Sequence, residues 1–234
     1  MTELILPIHF DFENIRSERQ KVNNLAVFEA LIQKNLNKKL CNEEELKRVL
    51  EDLEFTEEQL LEKCSQDHIF AKLLARDIAK KASRQGSKDE NTQLDICSIT
   101  ASKFGVKIED LPNFALRPTK DGRIITKKEF DGMDKNSCLK SFDGKISGVL
   151  EGWIFAKVVF GNGGHQDNVF EEAHNFGEWV LAFGNPDHIY VILIDTNLAI
   201  PLQELKTKFQ EKKNLLVVNH IEFQKYIIDK FSTA

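Results

Sequence analysis

The sequence predicts an α/β fold with two unlike halves. A helical N-terminal half precedes a mixed central sheet, antiparallel hairpins first and parallel strands after, flanked by helices. Three observations predict it. Through Gly105, apolar residues recur at three- and four-residue steps. Beyond Arg117 the period shortens, and Asp-Gly and Glu-Gly pairs mark hairpin turns. From Asp167 onward, short β-branched runs alternate with amphipathic helices, the pattern of crossovers between parallel strands.

The elements follow in order. From about Asn14 to Lys38, residues Val22, Leu25, Phe28, Leu31, Ile32 and Leu36 mark one helix. Asn42 and Thr56 stand before glutamate-rich first turns and cap two more. A fourth helix runs from about Asp67 to Arg84, with Ile69, Phe70, Leu73, Leu74 and Ile78 on one face. "GSKDE" breaks it, and "NTQLDICSITASKFG" forms another helix ending at Gly105. "RPTKDGRIITKKEF" reads as a hairpin turning at Asp121-Gly122, and "FDGKISGVLEGWIFAKVVF" as a second turning near Glu151-Gly152. A helix from about Asp167 to Phe183, the strand "IYVILID", the helix "PLQELKTKFQEKK", the strand "NLLVVNH" and the helix "IEFQKYIIDKF" complete the chain. The boundary falls between residues 112 and 113, with a helical region 1–112 and a core 113–234 expected to pack as one compact unit.

Composition excludes several classes. Of 234 residues, 41% are hydrophobic and 29% charged, ordinary for a globular chain with a core. A net charge of −5 argues against a basic coat, although local charge can differ from the total. Cys41, Cys64, Cys97 and Cys138 are scattered without metal-type spacing, as expected of reduced thiols. The first residues carry no signal-peptide pattern, and no apolar run approaches ~20 residues, so no membrane partner is expected.

"IFAKVVF" places one lysine, Lys157, inside an apolar strand. An unpaired buried ammonium is costly, so Lys157 needs partners. The hairpin brings Asp143 back beside it, and the Gly-rich bend after the strand returns a helix carrying Glu171. Two carboxylates with a lysine suit a hard divalent cation and a water activated beside it. The plainer alternative is a turn Asp, a snorkelling Lys and a solvated helix Glu.

This constellation resembles the PD-(D/E)xK nucleases, especially type II restriction endonucleases. In that family one strand begins with an Asp and the next carries (D/E)-x-K, followed by a helix and two parallel strands. Asp143 and Lys157 match; Phe155 stands where the second acid belongs. Some members, including tetrameric cutters of CCGG-type sites, move that acid to the following helix, about where Glu171 lies, fourteen residues after Lys157. Glu172 and Glu151 compete for the role. The resemblance covers roughly residues 120 to 220. It implies a restriction-endonuclease-like core, Mg²⁺ held by Asp143 and Glu171, and Glu90 as an accessory metal-binding acid. Lys157 would be catalytic, together with Asp143 and Glu171.

Two segments carry DNA-reading residue types. In "GNGGHQDN", Gln166 and Asn168 suit adenine edges, and His165 a base or phosphate; Asp167 or Asn168 would equally serve as a helix cap. "KLLARDIAKKASRQGSKDEN" is the most basic stretch. Its turn resembles DNA-contacting segments of restriction endonucleases and offers Arg84, Gln85, Ser87 and Lys88. The expectation is a cytoplasmic, bacterial, Mg²⁺-dependent type II endodeoxyribonuclease acting on double-stranded DNA. A homodimer fits a palindromic site, a tetramer being the other option. The alternatives are a repair or junction nuclease on the same core and a catalytically silent DNA-binding module.

Overall fold

A computed structural model of the chain describes residues 5–82, 88–112, 114–160 and 165–232, the side chains of Lys135, His165, Gln166 and Asp167 excepted. The chain divides into two compact units, residues 11–86 and residues 1–10 with 87–234.

The helical unit holds α1 (Phe12–Ile32), α2 (Glu43–Asp52), α3 (Glu57–Gln66) and α4 (His68–Ile78). Thr56 caps α3 in a capping box with Gln59, and Asn42 occupies the cap position of α2. The core gathers Val27, Leu31, Leu46, Leu60, Leu74 and Ile78. The buried stripe is narrower than periodicity alone predicts. Val22, Leu25, Ile69 and Leu73 are exposed, while Ala71 and Ala75 are buried and let α4 approach its neighbours closely. The fourth helix stops at Ile78, short of Arg84. There the backbone turns extended, and Asn42 N–H donates to Ile78 O and Lys80 N–H to Leu40 O. That pairing takes the groups a further turn of helix would need.

The second unit holds α5 (Lys88–Ser102), β1 (Val106–Asp110), β2 (Leu116–Pro118), β3 (Ile124–Thr126), α6 (Lys127–Phe130), β4 (Gly144–Gly148), β5 (Gly152–Val159), α7 (His165–Phe183), β6 (Ile189–Thr196), α8 (Ala199–Phe209), β7 (Leu215–Val218) and α9 (His220–Ser232). The sheet order is β1-β4-β5-β6-β7. The β1/β4 and β4/β5 pairs are antiparallel, and β5/β6 and β6/β7 are parallel. α7 and α8 cover one face through Phe176, Trp179, Leu205 and Phe209. α5 and α9 cover the other through Leu94, Cys97, Phe223 and Ile227. The mixed α/β sheet flanked by helices is thus as expected.

Two features differ from the sequence expectation. The Asp121-Gly122 hairpin forms a separate two-stranded sheet, β2–β3. The edge of the main sheet is instead β1, "VKIED", whose Lys107 and Glu109 face solvent as edge strands require. The division also falls between Gly86 and Ser87, not at 112/113. α5 belongs with the sheet because Leu94, Cys97 and Ala101 are buried there.

The β4–β5 turn depends on two glycines. Gly148 has φ +103°, and a Cβ there would lie 2.3 Å from Gly105 O; at Gly152 it would lie 1.9 Å from Ile189 O. Among the described residues no helix is long and apolar enough to cross a membrane.

Candidate active site

The hairpin places Asp143 immediately before β4 and Lys157 in β5. Asp143 N–H donates at 2.9 Å to the carbonyl oxygen of Ile154, the residue that already faces Gly144. Its Oδ2 accepts from Ala156 N–H at 2.9 Å and from Lys157 Nζ at 3.0 Å. Lys157 Nζ also donates to Ala156 O at 2.7 Å and lies 4.7 Å from the Phe155 ring centroid. A carboxylate, a carbonyl and an aromatic face thus satisfy the ammonium. Both side chains remain 20% exposed, so the pair is reachable from solvent.

Asp143 lines a cleft of about 120 Å³ with Glu90, Asn91 and Leu94 of α5, Asp110 of β1, Leu111 and Pro112. Burial, with the nearby charges of Asp95 and Asp143, pushes the Asp110 carboxyl above the ordinary aspartate range. These are hard oxygen donors of the type Mg²⁺ takes, and their mutual repulsion is what a cation relieves. They line the cleft without converging: among the described residues no three His, Cys, Asp or Glu side chains stand ready-made around a metal position.

Glu171 lies on the exposed side of α7. Glu172 pairs with Lys140 at 3.3 Å. Glu151 sits at the hairpin tip, where its Oε1 accepts from Gly148 N–H at 3.4 Å. Of the acids weighed from the sequence, Glu90 shares a cavity lining with Asp143. Lys88 opens α5 and Asn168 lies in the first turn of α7, both exposed. Arg84, Gln85 and Ser87 lie outside the described residues, as do the side chains of His165 and Gln166.

Sequence reasoning missed Asp110, which stands in a strand it did not identify. It also missed Gln93. The Gln93 amide donates to Asp195 Oδ2 at 2.6 Å and reaches Leu193 O at 3.4 Å and Lys157 O at 3.5 Å, tying α5 to the β5 and β6 edges. Asp195 Oδ1 in turn meets His220 Nδ1 at 2.6 Å. A glutamine inside an otherwise apolar stripe of α5 was the available signal.

No family model, curated protein or solved structure matches the chain. A functional reading therefore stands on the geometry above.

Proposed function

We propose that this chain is a Mg²⁺-dependent endonuclease that hydrolyses phosphodiester bonds of double-stranded DNA, of the type II restriction kind. One observation carries the reading. A half-buried Asp143–Lys157 pair sits on adjacent antiparallel strands, beside an acidic cleft, in a sheet that continues into parallel strands. The order helix, strand, strand carrying the Asp, strand carrying the Lys, helix, strand supports a restriction-endonuclease-like core. The position of Glu90 on α5 supports its role as an acid from the upstream helix.

Asp143 and Glu90 would hold the cation, with Asp110 at the rim of the same cleft. Glu171 is assigned to the metal by the resemblance alone. When bound, Mg²⁺ supplies charge neutralisation at the phosphate and lowers the pKa of a bound water. Asp143 keeps Lys157 in one rotamer through their 3.0 Å contact. The Lys157 ammonium then holds the attacking water by a hydrogen bond and opposes the charge that develops on the phosphate in the transition state. Arg84, Gln85, Ser87, Lys88, His165, Gln166 and Asn168 are the proposed DNA contacts, and a homodimer matches a two-fold site.

The test is incubation of supercoiled plasmid and a mapped genome with the protein in Mg²⁺ or in EDTA. Discrete Mg²⁺-dependent fragments with uniform ends are expected. Preference for branched substrates would make it a junction nuclease. Intact DNA, with binding retained, would leave a silent DNA-binding module.

A further inference from the structure

The unit that carries Asp143 holds a second cavity of different character. It measures about 370 Å³ and is lined by Arg117, Lys120, Asn136, Cys138, Lys140 and Glu172 among others. Three cations face one carboxylate, and that carboxylate already pairs with Lys140. Arg117 is 9% exposed, and its Nε has no hydrogen-bond partner among the described residues. Neither is it joined to any carboxylate among them.

Two aromatic rings lie against the Arg117 guanidinium. The Phe114 centroid lies 4.4 Å from Cζ and the Phe130 centroid 4.3 Å. The rings attract the cation but supply no hydrogen-bond acceptor for its N–H groups. Arginine does not deprotonate to escape burial. A buried guanidinium lacking an anion matches an oxyanion, which can take two parallel N–H···O bonds. Burial also lowers the Arg117 pKa, as desolvation of a cation without an adjacent carboxylate requires.

We infer that this cavity is a binding site for the phosphate group of a nucleotide, with Arg117 as its buried anchor and Lys120 and Lys140 at its mouth. The volume exceeds what a bare phosphate needs and falls at the small end of the ~300–1,000 Å³ range of ligand pockets, which leaves room for the attached sugar. Asn136 and Asn175 line the cavity with amide groups able to meet hydroxyls. The phosphate belongs either to a free nucleotide or to a DNA strand. The cavity wall leads into the active-site strand: Leu139 N–H donates to Pro118 O, Phe142 N–H donates to Leu116 O, and Asp143 follows. From Lys140 to Asp143 is three residues, on the order of 10 Å of extended chain. The site stands on its own geometry and does not need the nuclease reading.

Cys138 lines the cavity, and it is only partly buried, whereas Cys41, Cys64 and Cys97 are buried. Its alkylation rate therefore reports occupancy. The native protein in EDTA would be treated with a maleimide at fixed ionic strength, and modification at Cys138 followed by peptide mass mapping. The competitors are inorganic phosphate, a 5′-deoxymononucleotide and a short DNA duplex, each against a chloride control. The expected result is labelling of Cys138 slowed five-fold or more by at least one phosphate-bearing competitor. Slowing by mononucleotide identifies a free-nucleotide site, and slowing by duplex alone a strand-phosphate site. Lys120→Glu, on an exposed residue, and Arg117→Gln, checked for fold by thermal unfolding, should each cut the protection below two-fold. Three results would overturn the inference: chloride protecting as well as phosphate, protection surviving Lys120→Glu, or no competitor slowing the reaction. An unreactive Cys138 in the free protein would overturn it too, because a pocket closed to a small reagent is closed to a nucleotide.

Discussion

Lys157 meets Asp143 diagonally across the β4–β5 hairpin. Asp143 directly precedes Gly144, the first residue of β4 paired with β5, its N–H donates to Ile154 O, and Lys157 reaches back 3.0 Å to its Oδ2. Phe155, in the place of an acid, is 1% exposed and stacks on Phe176 of α7 at 5.8 Å. A carboxylate at that position would enter the aromatic core. The hairpin therefore supplies one acid and one lysine, and any second acid must come from another element.

Lys157→Ala is expected to retain fold and duplex binding and to lose about a thousand-fold or more in Mg²⁺-dependent cutting, the scale of removing one transition-state donor. Single-turnover cleavage alongside a filter-binding assay in Ca²⁺ separates the two effects. Cutting near the wild-type rate would remove Lys157 from the reaction, and with it the nuclease assignment.

The second acid is separated by a trio of amide substitutions. Glu90 lines the Asp143 cleft, so Glu90→Gln is expected to bind DNA but cut at least a hundred-fold more slowly, with partial rescue by Mn²⁺. Glu151→Gln should cut normally, because the residue sits at the hairpin tip, about six residues or ~20 Å of strand from Lys157. Glu171→Gln measures what the α7 acid contributes. A dead Glu171→Gln with an active Glu90→Gln would hand the metal to α7 and require that helix to close on the strand ends when DNA binds.

The readable parts of this site were those with a local cost. A lysine in an apolar strand demands a partner, and Gly148 and Gly152 occupy positions no side chain fits, so the hairpin and the Asp143–Lys157 pair were both visible in sequence. The parallel strands β6 and β7 announced themselves as β-branched runs. Three things were not readable. β1 carries only Val106 and Ile108 as apolar residues, and its pairing with β4 is fixed by partners about forty residues away. The attachment of α5 to the sheet uses the same periodicity that would bury it among the N-terminal helices. Arg117 looks like any arginine near a turn until Phe114 and Phe130 close over it.

Asp110 gives a pH-dependent prediction. Its folded pKa is raised, chiefly by burial. Below the ordinary aspartate value of about 4, both folded and unfolded states are protonated and the residue is neutral to stability. As pH rises through the folded value, the native state holds the proton longer and loses stability relative to the unfolded chain. Asp110→Asn removes that loss. In EDTA its melting temperature should equal wild type near pH 4 and exceed it slightly at pH 7, since the side chain keeps substantial solvent contact. In Mg²⁺ the order should narrow or reverse if the cleft takes the cation, because a ligand that binds the native state alone stabilises the wild type by mass action. A gap independent of both pH and Mg²⁺ would show that Asp110 lies outside the cation's field.

Asp195 and His220 resemble a catalytic dyad, and the structure argues for a different role. They are 6% and 3% exposed, between β6 and α9. Phe10 N–H donates to His220 Nε2 at 3.2 Å, which leaves Nδ1 as the ring's donor to Asp195 at 2.6 Å. Gln224 holds the same N-terminal segment by accepting from Ile8 N–H at 2.8 Å and donating to Ile8 O at 3.0 Å. The network's work is to join residues 8–10, α5 and the sheet to α9. Asp195→Asn keeps the shape but replaces one of two acceptor oxygens with a donor. Gln93 Nε2, His220 N–H and His220 Nδ1–H all point at that carboxylate, so at least one donor would then face another. The expected loss is about 1–3 kcal/mol, the cost of leaving a buried group unsatisfied. For a chain of this size that lowers the melting temperature by roughly 3–10 °C. Cutting by the folded fraction at 25 °C should stay near wild type. Cleavage lost with the melting temperature unchanged would place Asp195 in the chemistry; a melting temperature lowered with cleavage intact identifies the buried pair as the clamp on the N-terminal segment.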